Sequence, residues 1–163
     1  MRALRLISLF VGLAVSLTAC VSYAPSADLR GQSKASVIQM LGQPEREYLV
    51  DGKKKLQFPR GPGGSHTYFV YLDNEDQVLS WEQVLTEERF NQIAPGMTKD
   101  QVIDLIGVSK ITHGLARERG EVWHYRYWNT RCASFVIEFT KEAIVRSAGY
   151  RIRSGRQCKY VGQ

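Results

Sequence analysis

This chain has no apolar run long enough to span a bilayer and few of the signatures that mark chemistry. Its main apolar stretch, Leu6 to Leu17, has about 12 residues, against the roughly 20 that a spanning helix needs. The three histidines, His66, His113 and His124, form no His-x-x-x-His pair, and the three cysteines form no Cys-x-x-Cys pair. No metal is therefore expected, and no other cofactor. The glycine-rich loop Arg60-Gly61-Pro62-Gly63-Gly64-Ser65 lacks the Gly-Lys-Ser/Thr ending of a phosphate cradle and reads as a flexible connection between strands. No serine stands in a Gly-x-Ser-x-Gly elbow. These absences argue against an enzyme, and neither a catalytic residue nor a small-molecule substrate is expected.

At the N-terminus, Met1 to Arg5 is basic and leads into the apolar run, the pattern of an export signal. Leu17-Thr18-Ala19-Cys20 resembles the lipobox of bacterial lipoproteins. That resemblance implies a signal peptide over residues 1–19, a diacylglyceryl thioether on Cys20 and acylation of the new amino group. Residue 21 is Val rather than Asp, which by the sorting rule of such proteins implies the outer membrane, facing the periplasm. Residues 20–28, with Val21 to Ala27 small, polar and proline-bearing, read as a tether reaching at most some 25 Å. Loss of Arg2 and Arg5 takes the formal charge from +6 to +4. Export excludes nucleic acid as a partner. Cys132 and Cys158 are then an even pair in an oxidising compartment, which implies one disulfide, with two separate buried thiols as the alternative.

The stretch from Gly96 to Gly107 reads as a short helix with clear punctuation. Thr98 and Gln101 make a capping box, Val102, Ile103 and Ile106 fall on one face, and Gly107 closes the last turn. The same signals stand 65 residues earlier, from Gly31 through Ser33, Val37 and Ile38 to Gly42. Matching cap, stop and apolar offsets at one shift imply an internal duplication. Strands are expected over 45–50, 53–58, 66–72 and 77–84 in the first copy, and over 110–115, 121–128, 132–139 and 143–152 in the second. Between the copies, Thr86-Glu87-Glu88 opens a short helix. Leu72 and Val78 match Phe139 and Val145 at a shift of 67. The fold class is thus α+β, in two tandem units, each with short helices and a three- or four-stranded antiparallel sheet. The first unit is placed at 29–85 and the second, with a basic C-terminal tail, at 86–163.

Gly96-Met97-Thr98, Val102 and Gly107, followed by aromatic strands and preceded by a lipobox, resemble the SmpA/OmlA (BamE-like) outer-membrane lipoproteins. The tandem arrangement also resembles the β-lactamase-inhibitor-protein fold. These likenesses imply a non-catalytic protein-binding or scaffolding module in outer-membrane assembly or maintenance, with another envelope protein, a β-barrel assembly component for one, as partner. The alternative is an inhibitor-like module that occludes an envelope enzyme. Two surfaces are candidates for contact. Trp123, Tyr125, Tyr127 and Trp128 form an aromatic strand that is either sheet core or partner surface. Arg151, Arg153, Arg156 and Lys159 make a tail without an acid, either a solvated edge or a contact with an anionic surface.

Overall fold

The computed structural model describes residues 22–152 except 51 and 118; Cys20, Arg153, Arg156, Cys158 and Lys159 lie outside the described residues, as does the leader. Those residues form two antiparallel four-stranded meanders. In the first, α1 (Lys34–Leu41) is followed by β1 (Arg46–Val50), β2 (Lys53–Arg60), β3 (His66–Leu72) and β4 (Val78–Gln83), in that spatial order. A one-turn helix, α2 (Glu87–Phe90), leads to α3 (Lys99–Ile106). Then come β5 (Ile111–Leu115), β6 (Gly120–Arg126), β7 (Ala133–Phe139) and β8 (Val145–Ile152), again in sequence order.

The two helices start and stop as their sequences dictate. At α1 the Ser33 hydroxyl accepts from the Ser36 amide, and at α3 the reciprocal Thr98–Gln101 capping box is complete. Gly42 and Gly107 end them at φ values of 86° and 77°, where a side chain is strained.

The duplication extends to individual backbone hydrogen bonds. Gly31 N–H donates to the Val78 carbonyl, and Gly96 N–H to that of Val145. Val78 and Val145 donate back to Gln32 and Met97, and the amides of Lys34 and Lys99 donate to the carbonyls of Asp76 and Ala143. Asp76 and Ala143 share a left-handed backbone, at φ 59° and 60°. Each follows the same irregularity in the preceding strand pair, between Tyr71 and Leu72 and between Glu138 and Phe139.

That irregularity corrects one expectation. A plain turn at 140–142 sets Cys132 roughly opposite Arg151. Phe139 instead pairs with Val145 and the register shifts once more between Phe139 and Glu138, so Ser134 faces Arg151 and Ala133 faces Ile152. Pro59 and Arg60, expected in a loop, instead extend β2 opposite Thr67 and His66. Pro59 is tolerated there because β1 has already ended, opposite Gln57, so no ladder bond is lost.

The cores follow from strand alternation. Leu56, Phe58, Tyr68, Val70 and Leu72 line one face of the first sheet and pack with Val37 of α1. The other face carries Lys55, Gln57, Phe69 and Tyr71, and α3 of the second unit covers it. Val102 and Ile106 of that helix are fully buried with Phe69 on one side and Trp123, Ile137 and Phe139 on the other. Such side chains contribute about 1.5–3 kcal/mol each when fully buried. The layers therefore run helix, sheet, helix, sheet, and α3 is shared.

Candidate functional site

The seam between the units is polar as well as apolar. Lys55 on β2 is almost fully buried, and its ammonium donates to the Asp104 carboxylate at 3.0 Å and toward the Asp104 carbonyl at 3.4 Å. The same ammonium lies over the Phe69 ring, 4.7 Å from its centroid. Arg89 of α2 donates to the Leu105 carbonyl at 2.8 Å and pairs with Glu82, which also accepts from the Tyr71 hydroxyl. Two cations thus meet the free carbonyls at the C-terminal end of α3, where the helix dipole favours positive charge. Beyond the helix, Gln57 donates to the Val108 carbonyl at 3.0 Å and accepts from its amide at 3.2 Å, as a neighbouring strand would. The seam fixes the units to each other, and that rigidity defines the surfaces at their ends.

One such surface lies at the end of the molecule where β2, β6 and β8 finish. Segments 83–87 and 127–131, with His66, border a groove of about 660 Å³ between the units. Asn129 holds the 127–131 side. Its side-chain amide donates to the carbonyls of Tyr127 and Ala133, and its oxygen accepts from the amides of Arg131 and Ala133. This clamp turns Tyr127 inward and leaves Trp128 53% exposed. Across the groove Glu87 accepts from the Tyr127 hydroxyl at 2.9 Å and pairs with Arg131. Both partners hold the Glu87 carboxyl below the usual range, Arg131 most strongly, while burial pushes the Tyr127 phenol up to about 12. The carboxylate and phenol keep each other occupied, which suits contact better than proton transfer.

His66 sits between two rings, with centroids 5.1 Å from Tyr23 and 5.9 Å from Trp128. Burial lowers its pKa. Tyr23 belongs to the stretch expected to be a tether, and its ring packs against His66 and beside Gly61. Leu29 is fully buried in the first core, and Asp28 accepts from the Trp81 indole at 2.9 Å. Tyr23, Asp28 and Leu29 thus touch the folded body, while Ser22, Ala24, Ser26 and Ala27 are exposed.

The sequence-predicted residues fall in separate places. Trp123, Tyr125 and Tyr127 are buried in the second core, the Tyr125 hydroxyl donating to the Gly107 carbonyl at 2.8 Å. As a partner surface these three are corrected: inward alternation puts their rings in the core, and only Trp128 is available. Arg151 is exposed at the end of β8. Cys132 is disulfide-bonded and has a left-handed backbone, φ 54°. His113 and His124 form a cross-strand pair with ring centroids 5.3 Å apart. Sequence reasoning missed His66, Tyr23, Asn129 and the Glu87–Arg131 pair, since nothing in their local spacing reports that the ends of β3, β4 and β6 converge.

Fold and surfaces together define a tandem helix-on-sheet module in which α3 is sandwiched between the two sheets. Residues 82–149, which span α2, α3 and nearly all of the second sheet, match the family model for the outer membrane protein assembly factor BamE domain. The second unit is thus BamE-like, and the match supports a BamE/SmpA-like assignment for that part of the chain. No curated protein matches the sequence. Among solved structures, it is similar to the DUF4309 family protein YjgB of Bacillus subtilis at 11% identity and a TM-score of 0.29, covering 74% of this chain and 78% of that one. It is similar also to an extracellular protein containing an SCP domain from Bacillus anthracis, at 11% identity and a TM-score of 0.30, covering 90% of this chain and 58% of that one. Scores at that level carry no argument about either protein's function. Among the described residues no helix is long and apolar enough to cross a membrane.

Proposed function

We propose that this protein is a non-catalytic outer-membrane lipoprotein that serves as a protein-binding or scaffolding module in outer-membrane assembly or maintenance. The observation that carries the reading is the BamE-domain match over the second unit. The anchor is Cys20, whose acyl chains contribute about 0.8 kcal/mol per buried methylene, so that several chains hold the protein to the membrane. The rigid seam supports the reading as well, because a scaffold must hold its surfaces in a fixed relation. The partner is another envelope protein, an integral β-barrel assembly component in the first instance. Chemical crosslinking in intact cells followed by purification tests this. Recovery of an integral β-barrel protein or one of its accessory factors is expected; recovery of a soluble envelope hydrolase instead would replace scaffolding with inhibition. Fractionation tests the address: wild type in the inner membrane, or Cys20→Ala still membrane-bound, would overturn it.

A further inference from the structure

We infer that the Tyr23–His66–Trp128 face is seated on the headgroup layer of the membrane that holds Cys20, so that this end of the molecule is its membrane-facing end. The inference rests on the Cys20 anchor proposed above. Only three residue steps separate Cys20 from Tyr23, at most about 10 Å of extended chain. The headgroup zone on each side of a bilayer is about 5–8 Å deep, so Tyr23 is held at its boundary. Tyr23 is not free to swing away, because its ring lies 5.1 Å from that of His66 and packs beside Gly61. The docked segment therefore fixes which face of a rigid body meets the lipid.

The chemistry of that face fits. Trp128 is 53% exposed beside His66, and Ile152, at the same end because it pairs with Ala133 just past the Asn129 clamp, is 81% exposed. Trp and Tyr favour the membrane–water boundary, where the ring is buried and the polar tip hydrated. Arg151 is also exposed here, and Arg131 is exposed but paired with Glu87. Arg151, unpaired among the described residues, is a charge that an anionic headgroup layer would attract.

The test uses the full lipoprotein in cells, with the photoreactive residue p-benzoylphenylalanine replacing Trp128 or, separately, Leu49. Leu49 is 74% exposed and lies near the far end of β1, so it serves as a control more accessible than Trp128. After irradiation, intact-mass analysis of the membrane fraction separates phospholipid adducts from protein adducts. Several-fold more lipid adduct at position 128 than at position 49 is the expected result. Equal labelling, more at 49, no lipid adduct at either, or only protein adducts at 128 would overturn the orientation while leaving the anchor intact. Recovery of unmodified wild type in the soluble fraction would overturn the anchor and the orientation together.

Discussion

Gln57 of the first unit occupies the space that a side chain at Gly107 of the second would need: a Cβ built there would lie 2.7 Å from the Gln57 Cδ. Gly107 is therefore bound twice, by its φ of 77° and by the neighbouring unit. Gly42, its counterpart at φ 86°, has nothing within 4 Å of such a Cβ.

The two glycines should respond differently to the same change. Gly42→Ala meets only backbone strain, about 1–3 kcal/mol. Gly107→Ala must also displace Gln57 from the Val108 backbone, adding about 1–3 kcal/mol. Thermal melts compare them, at about 4 °C per kcal/mol for a domain of this size. Equal losses would mean that the units do not meet at this point.

The Lys55–Asp104 pair should be asymmetric. Lys55 is 3% exposed and Asp104 58% at the side chain. Asp104→Ala strands a buried ammonium on one carbonyl and two rings and should cost about 2–4 kcal/mol. Lys55→Met keeps the apolar stem and leaves a carboxylate that water can reach, for about 1 kcal/mol or less. Urea melts of both variants give the comparison; a larger loss from Lys55→Met would contradict the seam as described.

Val37→Asp and Val102→Asp each place a charge at a fully buried position on a helix facing a sheet. Each should cost about 3 kcal/mol or more, seen as a lower melting temperature. A variant that melts like wild type would show that its helix does not face the core.

Acidification should loosen the Tyr23–His66–Trp128 cluster. Burial depresses the His66 pKa, so between that value and the unfolded value near 6.5 the unfolded chain binds more protons. This contribution is fully present above about pH 6.5 and is lost as the pH falls through the folded pKa. His124, depressed by burial and by His113, acts in the same direction. NMR titration should give both midpoints below the ordinary histidine value, and His66→Gln should flatten part of the fall in melting temperature. A His66 midpoint above the ordinary value would contradict its burial.

Cys132 is disulfide-bonded, and Cys158 is the partner we propose. Closing a loop of about 27 residues is worth around 3–4 kcal/mol in the chain-entropy model. Digestion without reductant should release the two cysteine peptides joined. Cys132 linked to any other cysteine, or Cys158 recovered free, would overturn the pairing.

Local punctuation was legible in the sequence because it acts over three or four residues. Ser33, Thr98, Gln101 and the two closing glycines determine where α1 and α3 begin and end whatever surrounds them. The repeated offsets of 65 and 67 residues exposed the duplication, and alternation along 121–128 placed Trp123, Tyr125 and Tyr127 on one face. Tertiary structure alone decided what covers each face. Lys53-Lys54-Lys55-Leu56-Gln57 alternates like a strand with one side in water, yet Lys55 and Gln57 are buried, because α3 brings a carboxylate and free backbone groups to meet them. Alternation says that a strand has two faces and is silent on which partner each will find. The end of the molecule was hidden for the same reason: Tyr23, His66 and Trp128 lie far apart along the chain and meet only once both units have folded and the seam has set their ends side by side.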